Sequence, residues 1–529
     1  MRYYDLAKEA QQNYDYPIVL AKVGGQLHEL LDTIKDRDQQ IEFLTTNTKI
    51  GMRVYRRSLL FLFLTAVNKL DDFANVQVLF PLGDSLYIES DNFDLKKNID
   101  SIEVIMRGMI ERDIVITKQM IPISSAQRYF KETQMNAKQK LFEFRRTSSV
   151  TLYNLDGFRN YFYGDLVYST GILDLFKLTP MNNGILLCYP SNDSPKEVKL
   201  PAQSKKMYKT LLDTSLWAKQ QKTKTIGELN EIIVNGQMNR LILLQEAKME
   251  KEIGVIADDI IRNNKKFVLI AGPSSSGKTS FSNRLSVQLQ TYGINCHTIA
   301  CDDYFKNKCD IPCDESGERN LESIEIVDLD QFDSDMYKVM QGERVEIPSF
   351  NFKKGEREYN GDHFIELKEN DIVIVEGIHC LNPRFLPSVD PYRIYISALT
   401  PLNIDEHNRI SSSDLRMLRR IARDVKHRGT SPQDTIKMWN KVRAGEEKNI
   451  FPYQENADLI FNSSLVYEVP MIKTIVEPLL FSVPKDSDEW VEAKRMLKFL
   501  DFFLSYSSDL VPKNSILQEF LGGSCFDVG

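Results

Sequence analysis

Lys266-Phe-Val-Leu-Ile-Ala271-Gly272-Pro-Ser-Ser-Ser-Gly277-Lys278-Thr279-Ser280 is the stretch that decides the fold. Phe267 to Ala271 is a short continuous apolar run, the pattern of a strand buried on both faces of a parallel sheet. Gly272 to Thr279 then fits G-x-x-x-x-G-K-[ST]. Phe281, Leu285, Leu289 and Tyr292 follow at helical spacing, and Gly293 stands where a C-cap belongs. Strand, glycine loop and helix in this order make a phosphate cradle. The glycines let the backbone curl so that N–H groups face phosphate oxygens, and the helix N-terminus adds its positive end. Lys278 supplies a point charge to the β- and γ-phosphates, and the Thr279 hydroxyl can ligate magnesium. Average residue frequencies give on the order of 0.02 chance matches in a chain this long. Gly272, Pro273, Ser274, Ser275, Ser276, Gly277, Lys278, Thr279 and Ser280 are therefore assigned to nucleotide binding.

Outward from this loop the same strand pattern recurs at Ile294–Ala300, Ile372–Val375, Arg393–Ser397 and Leu459–Phe461, with helical stretches between. Alternating strands and helices predict an α/β fold with a doubly wound parallel sheet; taken with the phosphate loop and the carboxylates and arginines that follow, it is expected to be a P-loop kinase. Carboxylates at the C-terminal ends of such strands face the ligand crevice. Asp302, just past the second strand, can accept the proton of an attacking hydroxyl. Glu376 closes the third and can hold magnesium with Thr279. Arg416, Arg420 and Arg423 lie at i, i+4 and i+7 on one helix face, while Leu415, Leu418, Ala422 and Val425 form the buried one. An arginine row before Gly429 suits a lid over a transferring phosphate.

The 529 residues predict three or four domains. A net charge of -7 argues against binding nucleic acid through bulk charge. The longest apolar run, Leu59–Val67, is far short of the ~20 residues that span a bilayer, and no secretory signal opens the sequence. Seven scattered cysteines read as free thiols in a reducing compartment, and Cys309 and Cys313 with Cys301 and His297 do not have zinc spacing. Asn68-Lys-Leu-Asp71 has the form that reads guanine in GTPases, but it lies upstream of the phosphate loop in an apolar helical pattern and reads as a helix end.

Residues 265–465 resemble the uridine kinase group of the phosphoribulokinase/uridine kinase superfamily. The resemblance rests on the phosphate loop, Asp302-Asp-Tyr-Phe305, Ile347-Pro-Ser-Phe-Asn-Phe352, Glu376-Gly-Ile-His379 and Arg420-Ile-Ala-Arg423-Asp with Arg428-Gly429. It implies ATP (or GTP) as donor, Mg2+ as cofactor and a nucleoside 5′-hydroxyl as acceptor. Asp302 becomes the base, Lys278, Arg420, Arg423 and Arg428 the groups on the phosphates, and Tyr304, Glu322, Phe350, Phe352 and Arg423 the substrate contacts. Phe350 stands where pyrimidine-specific members carry tyrosine, and a base-reading histidine is replaced near Gly355, which leaves the base open.

In front of this domain, residues 1–54 resemble a truncated TGS module, from Tyr16-Pro-Ile-Val-Leu-Ala-Lys-Val-Gly-Gly and Gly51-Met-Arg-Val-Tyr-Arg-Arg-Ser58. Residues 55–202 resemble the second additional domain of threonyl-tRNA synthetase, so the kinase is expected to follow α+β synthetase-like domains. With no histidine and only Cys188 between 55 and 262, no His/Cys zinc site can be built there. Residues 203–262 read as a helical connector, 263–480 as the kinase domain and 481–529 as a helical tail. A cytoplasmic homo-oligomer is expected. Two other functions stay open: a kinase of another sugar or phosphosugar, or a nucleotide-gated RNA-binding regulator using Lys138-Gln-Lys140 and Arg145-Arg146.

Overall fold

The computed structural model describes residues 1–35, 40–192, 194–201, 204–311, 322–351 and 354–528. The phosphate loop lies at the centre of a five-stranded sheet formed by β1 (Phe267–Ala271), β2 (Asn295–Ala300), β3 (Asp371–Glu376), β4 (Tyr392–Ser397) and β5 (Leu459–Asn462). Its order is β2-β3-β1-β4-β5, and every neighbouring pair is parallel. This is the expected doubly wound α/β arrangement, with the crevice opening where β1 lies between β3 and β4.

The unbroken apolar run of β1 has a direct cause. Val268 and Ile270 face one core, with Ile242, Met249 and Phe281, while Phe267, Leu269 and Ala271 face another, with Val373, Tyr395 and Phe332. Successive side chains of a strand point to opposite faces, so both sets must be apolar when both faces are covered. Helix α1 (Lys278–Gln290) follows the loop and buries Phe281, Leu285 and Leu289. Tyr292, fourth in the expected periodic row, lies past the helix end and is exposed.

The stretch read as a connector is part of these cores. The helix Met238–Arg262 buries Ile242, Met249, Ile253 and Ile256 in the cluster that holds Val268 and Ile270. The expected helical tail is also packed inward. It contains the helix Trp490–Leu500 and the single turn Gln518–Leu521, and Ile516, Leu517 and Phe520 join the core of the parallel sheet.

The first half is α+β. A three-stranded antiparallel sheet (Gln26–Glu29, Ile18–Val23, Ile41–Thr45) precedes the helix Lys49–Leu70. That helix starts at Lys49, where the Thr48 side chain caps it by accepting from the Gly51 amide at 3.0 Å. It runs straight through residue 54, so the chain has no break at that expected boundary. Asn68-Lys-Leu-Asp71 closes it, as the sequence implied. Beyond lie a four-stranded sheet and a second three-stranded sheet.

Lys138 does not belong to an exposed basic patch. It is fully buried, with Nζ 3.0 Å from Asp405 Oδ1 and 2.8 Å from His407 Nδ1. Burial and the neighbouring Lys138 hold the His407 pKa well below its ordinary value, so this imidazole is neutral and can accept from the ammonium. Lys140 pairs with Glu231, and Arg145 lies over the Phe502 ring. The residues offered for RNA are thus largely committed to internal contacts. Among the described residues no helix is long and apolar enough to cross a membrane.

Candidate active site

The loop 272–279 joins β1 to α1 in a tight curl. Gly277 sits at the helix N-cap with φ 85°, a left-handed conformation open to glycine. Ser275 is also left-handed, at φ 58°, a position uncommon for a residue with a Cβ. Lys278 Nζ donates to the Gly272 carbonyl at 3.0 Å, so its ammonium closes over the loop where phosphates would lie.

The outside of the loop is held by arginines of helix α2 (Ser412–Arg423). Arg416 Nη1 donates to the Ser274 carbonyl at 3.1 Å, Arg419 Nη1 to the Ser275 carbonyl at 3.5 Å, and Arg420 Nη1 to Ser274 Oγ at 2.9 Å. The expected arginine row therefore divides by function. Arg416 is buried against Glu446 of helix α3 (Pro432–Asn449), Nη2 to Oε2 2.7 Å. Arg419, on the face read as apolar, is fully buried with Nε 2.6 Å from Glu468 Oε2. Arg420 and Arg423 share Asp424 at 3.0 Å each, and Arg428 reaches the same carboxylate at 3.8 Å with half its side chain exposed. Arg420, Arg423 and Arg428 thus converge on Asp424 at this helix end. The helix leaves through a π-turn, Asp424–Arg428, that stops at left-handed Gly429. Such a local irregularity suits a lid that has to move.

Asp302 and Glu376 come together at the same edge of the sheet, since Ala300 of β2 lies in register with Glu376 of β3 and Glu376 with Ile270 of β1. Thr279 Oγ1 donates to Glu376 Oε1 at 3.0 Å, and Glu376 Oε2 is buried with no hydrogen-bond partner among the described residues. Desolvation raises the Glu376 pKa to about 7, against the pull of Lys278 and the Thr279 hydroxyl. An orphaned carboxylate oxygen beside a hydroxyl is a donor set that a hard divalent cation fits. Among the described residues no cluster of three or more His, Cys, Asp or Glu could hold a metal alone. Magnesium needs none, since it is commonly held by one or two protein oxygens with phosphates and water completing its shell. Desolvation likewise raises the Asp302 pKa, opposed by Lys278 and Arg428 and reinforced by Asp303.

On the acceptor side, Glu322 is half-buried, and desolvation raises its pKa against the pull of Arg420. Phe350 lies on the strand Ser349–Asn351, its amide donating to Asp303 Oδ1 at 3.3 Å and its ring meeting Phe305 at 5.5 Å. Tyr304, expected to touch substrate, instead points into the core. It is fully buried, its hydroxyl donates to Asp335 at 3.2 Å, and its ring stands edge-on to Phe332. An aromatic residue after the strand-end aspartates is held by the apolar layer beneath the sheet, so it anchors Asp302 and Asp303 from behind. Phe352 lies outside the described residues. Gly355, near which the base-reading histidine was expected to be replaced, has φ 73°, and a Cβ there would come within 2.9 Å of the Lys308 side chain.

Sequence reasoning missed Glu446. Its Oε1 accepts the Ser274 amide at 3.1 Å while its carboxylate also takes Arg416 and Arg443. It lies 172 residues from Ser274 along the chain, and no spacing rule connects them.

A strand–loop–helix phosphate cradle, strand-end carboxylates and an arginine-bearing helix on one sheet edge define a P-loop phosphotransferase. The sequence pattern of the phosphoribulokinase/uridine kinase family matches residues 267–469. The uridine kinase of Staphylococcus aureus strain JH9 is 30% identical over 192 residues, which is 36% of this chain and 84% of that protein. The chain belongs to the phosphoribulokinase/uridine kinase family. Among solved structures, one described as a possible uridine kinase of Bacillus stearothermophilus is 14% identical, covers 41% of this chain and 100% of its own, and has a TM-score of 0.29. A D-glycerate 3-kinase of Cryptococcus neoformans var. grubii is 15% identical over 55% of this chain and 90% of its own, with a TM-score of 0.21.

Proposed function

We propose that this chain is a nucleoside kinase, transferring the γ-phosphate of ATP or GTP to a nucleoside 5′-hydroxyl, with uridine or cytidine as the expected acceptor. One observation carries the reading: Asp302 and Glu376 meet at the loop's edge of the sheet, each with a pKa raised by desolvation and opposed by the same Lys278. Uridine kinase is also the activity of the S. aureus relatives.

Asp302 takes the proton from the 5′-hydroxyl as that oxygen attacks the γ-phosphorus, and the bond to the β-phosphate oxygen breaks. Lys278 exchanges the Gly272 carbonyl for phosphate oxygens. Arg420, Arg423 and Arg428 swing with the π-turn onto the equatorial oxygens and exclude water. Thr279 and Glu376 would hold Mg2+, which when bound neutralises charge on the phosphates. The loop amides of 272 and 274–280 line the donor, while Glu322 and Phe350 line the acceptor, with Arg423 between. With tyrosine replaced at Phe350 and the histidine replaced near Gly355, the choice of base is left open.

Residues 1–54 are carried as a TGS-like module and 55–202 as a zinc-free synthetase-like module, supported by their antiparallel sheets. The chain is read as a cytoplasmic homo-oligomer. The test is a panel of nucleosides, sugars and phosphosugars with ATP or GTP and Mg2+, read by mass for the monophosphate. Phosphorylation of a sugar in preference to every nucleoside would reject the acceptor assignment.

A further inference from the structure

Helix α1 begins at Gly277, which has no side chain with which to cap the helix, yet its first-turn amides are the ones a phosphate needs. The cap is supplied from 239 residues away. Glu519 Oε2 accepts from Ser280 Oγ at 2.8 Å and from the Ser280 amide at 3.4 Å, and Glu519 is only 4% exposed. A carboxylate at a helix N-terminus is favourable with both the amide and the helix dipole.

Glu519 belongs to a short segment that touches both the phosphate loop and the arginine-bearing helix end. Ile516, fully buried, presses on the loop so closely that a Cβ on Gly277 would come within 2.5 Å of its Cγ2. Phe520 lies under the Arg419 guanidinium of α2, 5.0 Å from ring centre to Cζ. Lys426, in the π-turn of the lid, donates to the carbonyls of Leu521 at 3.2 Å and Gly522 at 3.0 Å. Ser515 Oγ anchors the near end by donating to Glu246 Oε1 at 2.6 Å, and Glu246 also holds Arg284 of α1 at 3.1 Å. Loop, first helical turn and lid therefore share one set of contacts.

We propose that Ser515–Gly522 is a working part of the nucleotide site, in which Glu519 is a positioning residue that acts through Ser280 while the segment couples the phosphate loop to the lid. The proposal rests on the chain being a nucleotide-dependent kinase and not on which acceptor it uses. Two effects oppose each other: the carboxylate orders the helix start, but its negative charge disfavours a nearby phosphate. Ordering prevails here, because the carboxylate's charge is largely answered by the two donors of Ser280 and by the helix end.

The experiment measures Mg2+-dependent binding of a fluorescent ATP analogue to the full chain, with no acceptor present. Glu519→Ala is expected to weaken binding about tenfold, and Glu519→Gln, which keeps an acceptor for Ser280, about threefold. Thermal melting reports whether each variant is folded. Unchanged or tighter binding in folded Glu519→Ala overturns the proposal, the tighter result showing that repulsion dominates. Should Glu519→Ala not fold, Lys426→Ala on the exposed lid side decides: about threefold weaker binding supports the coupling, and unchanged binding overturns it. A negative acceptor panel would leave this readout intact, so the two readings fail separately.

Discussion

Arg416 and Glu446 form a two-pronged ion pair that is almost wholly buried, and the same carboxylate accepts the Ser274 amide of the phosphate loop. The pair thus fixes two helices and the loop to one another. Removing one partner leaves an uncompensated buried charge, which costs about 3–5 kcal/mol. Glu446→Ala should therefore lower the melting temperature markedly and weaken ATP binding as well. Melting curves with and without Mg2+-ATP check this. A variant that melts like the wild type would show that the loop does not depend on the pair.

Asp302→Asn should cut turnover by roughly 10²-fold or more with little change in ATP affinity, since only the proton acceptor is lost. The pH profile gives a second handle. A base works when ionised, and desolvation raises the Asp302 pKa, so activity should rise with pH through a midpoint above the usual aspartate range. Initial rates from pH 4 to 8 locate that midpoint. An acid limb centred at the ordinary value would remove Asp302 from the role.

Glu492 ties the helix Trp490–Leu500 to Arg53 of the first half and to Arg495 beside it. Burial raises its pKa, but Arg495 and then Arg53 outweigh that and hold it down to about 2. A carboxyl depressed on folding contributes stability above its unfolded pKa and loses it as pH falls through the folded one. From the ordinary 4.5 to about 2 this is about 3 kcal/mol. Glu492→Gln should be less stable than wild type at pH 6, and the difference should shrink as pH falls from about 4.5 toward about 2. Denaturant midpoints across that range measure it.

Lys138→Met should destabilise the chain by about 3 kcal/mol, because Asp405 would lose its buried countercharge. Any salt-dependent RNA binding should be unaffected by this change, since the ammonium is not at the surface. Filter binding beside a melting curve separates the two effects. Loss of RNA binding in a folded variant would restore Lys138 to a basic surface.

Much of the site was legible along the chain because its chemistry is local. A strand, a glycine loop and a helix placed Lys278 and Thr279 within one turn of each other, and strand ends placed Asp302 and Glu376 at the crevice edge. The parallel sheet followed from runs such as Phe267–Ala271, whose two faces are both covered. Tyr304 was expected at the substrate from the resemblance alone, and Arg416 was misplaced because spacing gives a residue's face and not what lies opposite it. Core packing captured the first, and Glu446 captured the second.

The sequence by itself determined the strand, the glycine loop Gly272–Thr279 and the helix after it, and the two strand-end carboxylates beside them, because hydrophobic periodicity and backbone geometry act over a few residues. Only the tertiary structure decided what holds that loop in place. Glu446, Arg419 and Glu519 reach it from 144 to 239 residues away, and contacts at that separation are set by how helices pack on the sheet, which no local pattern encodes.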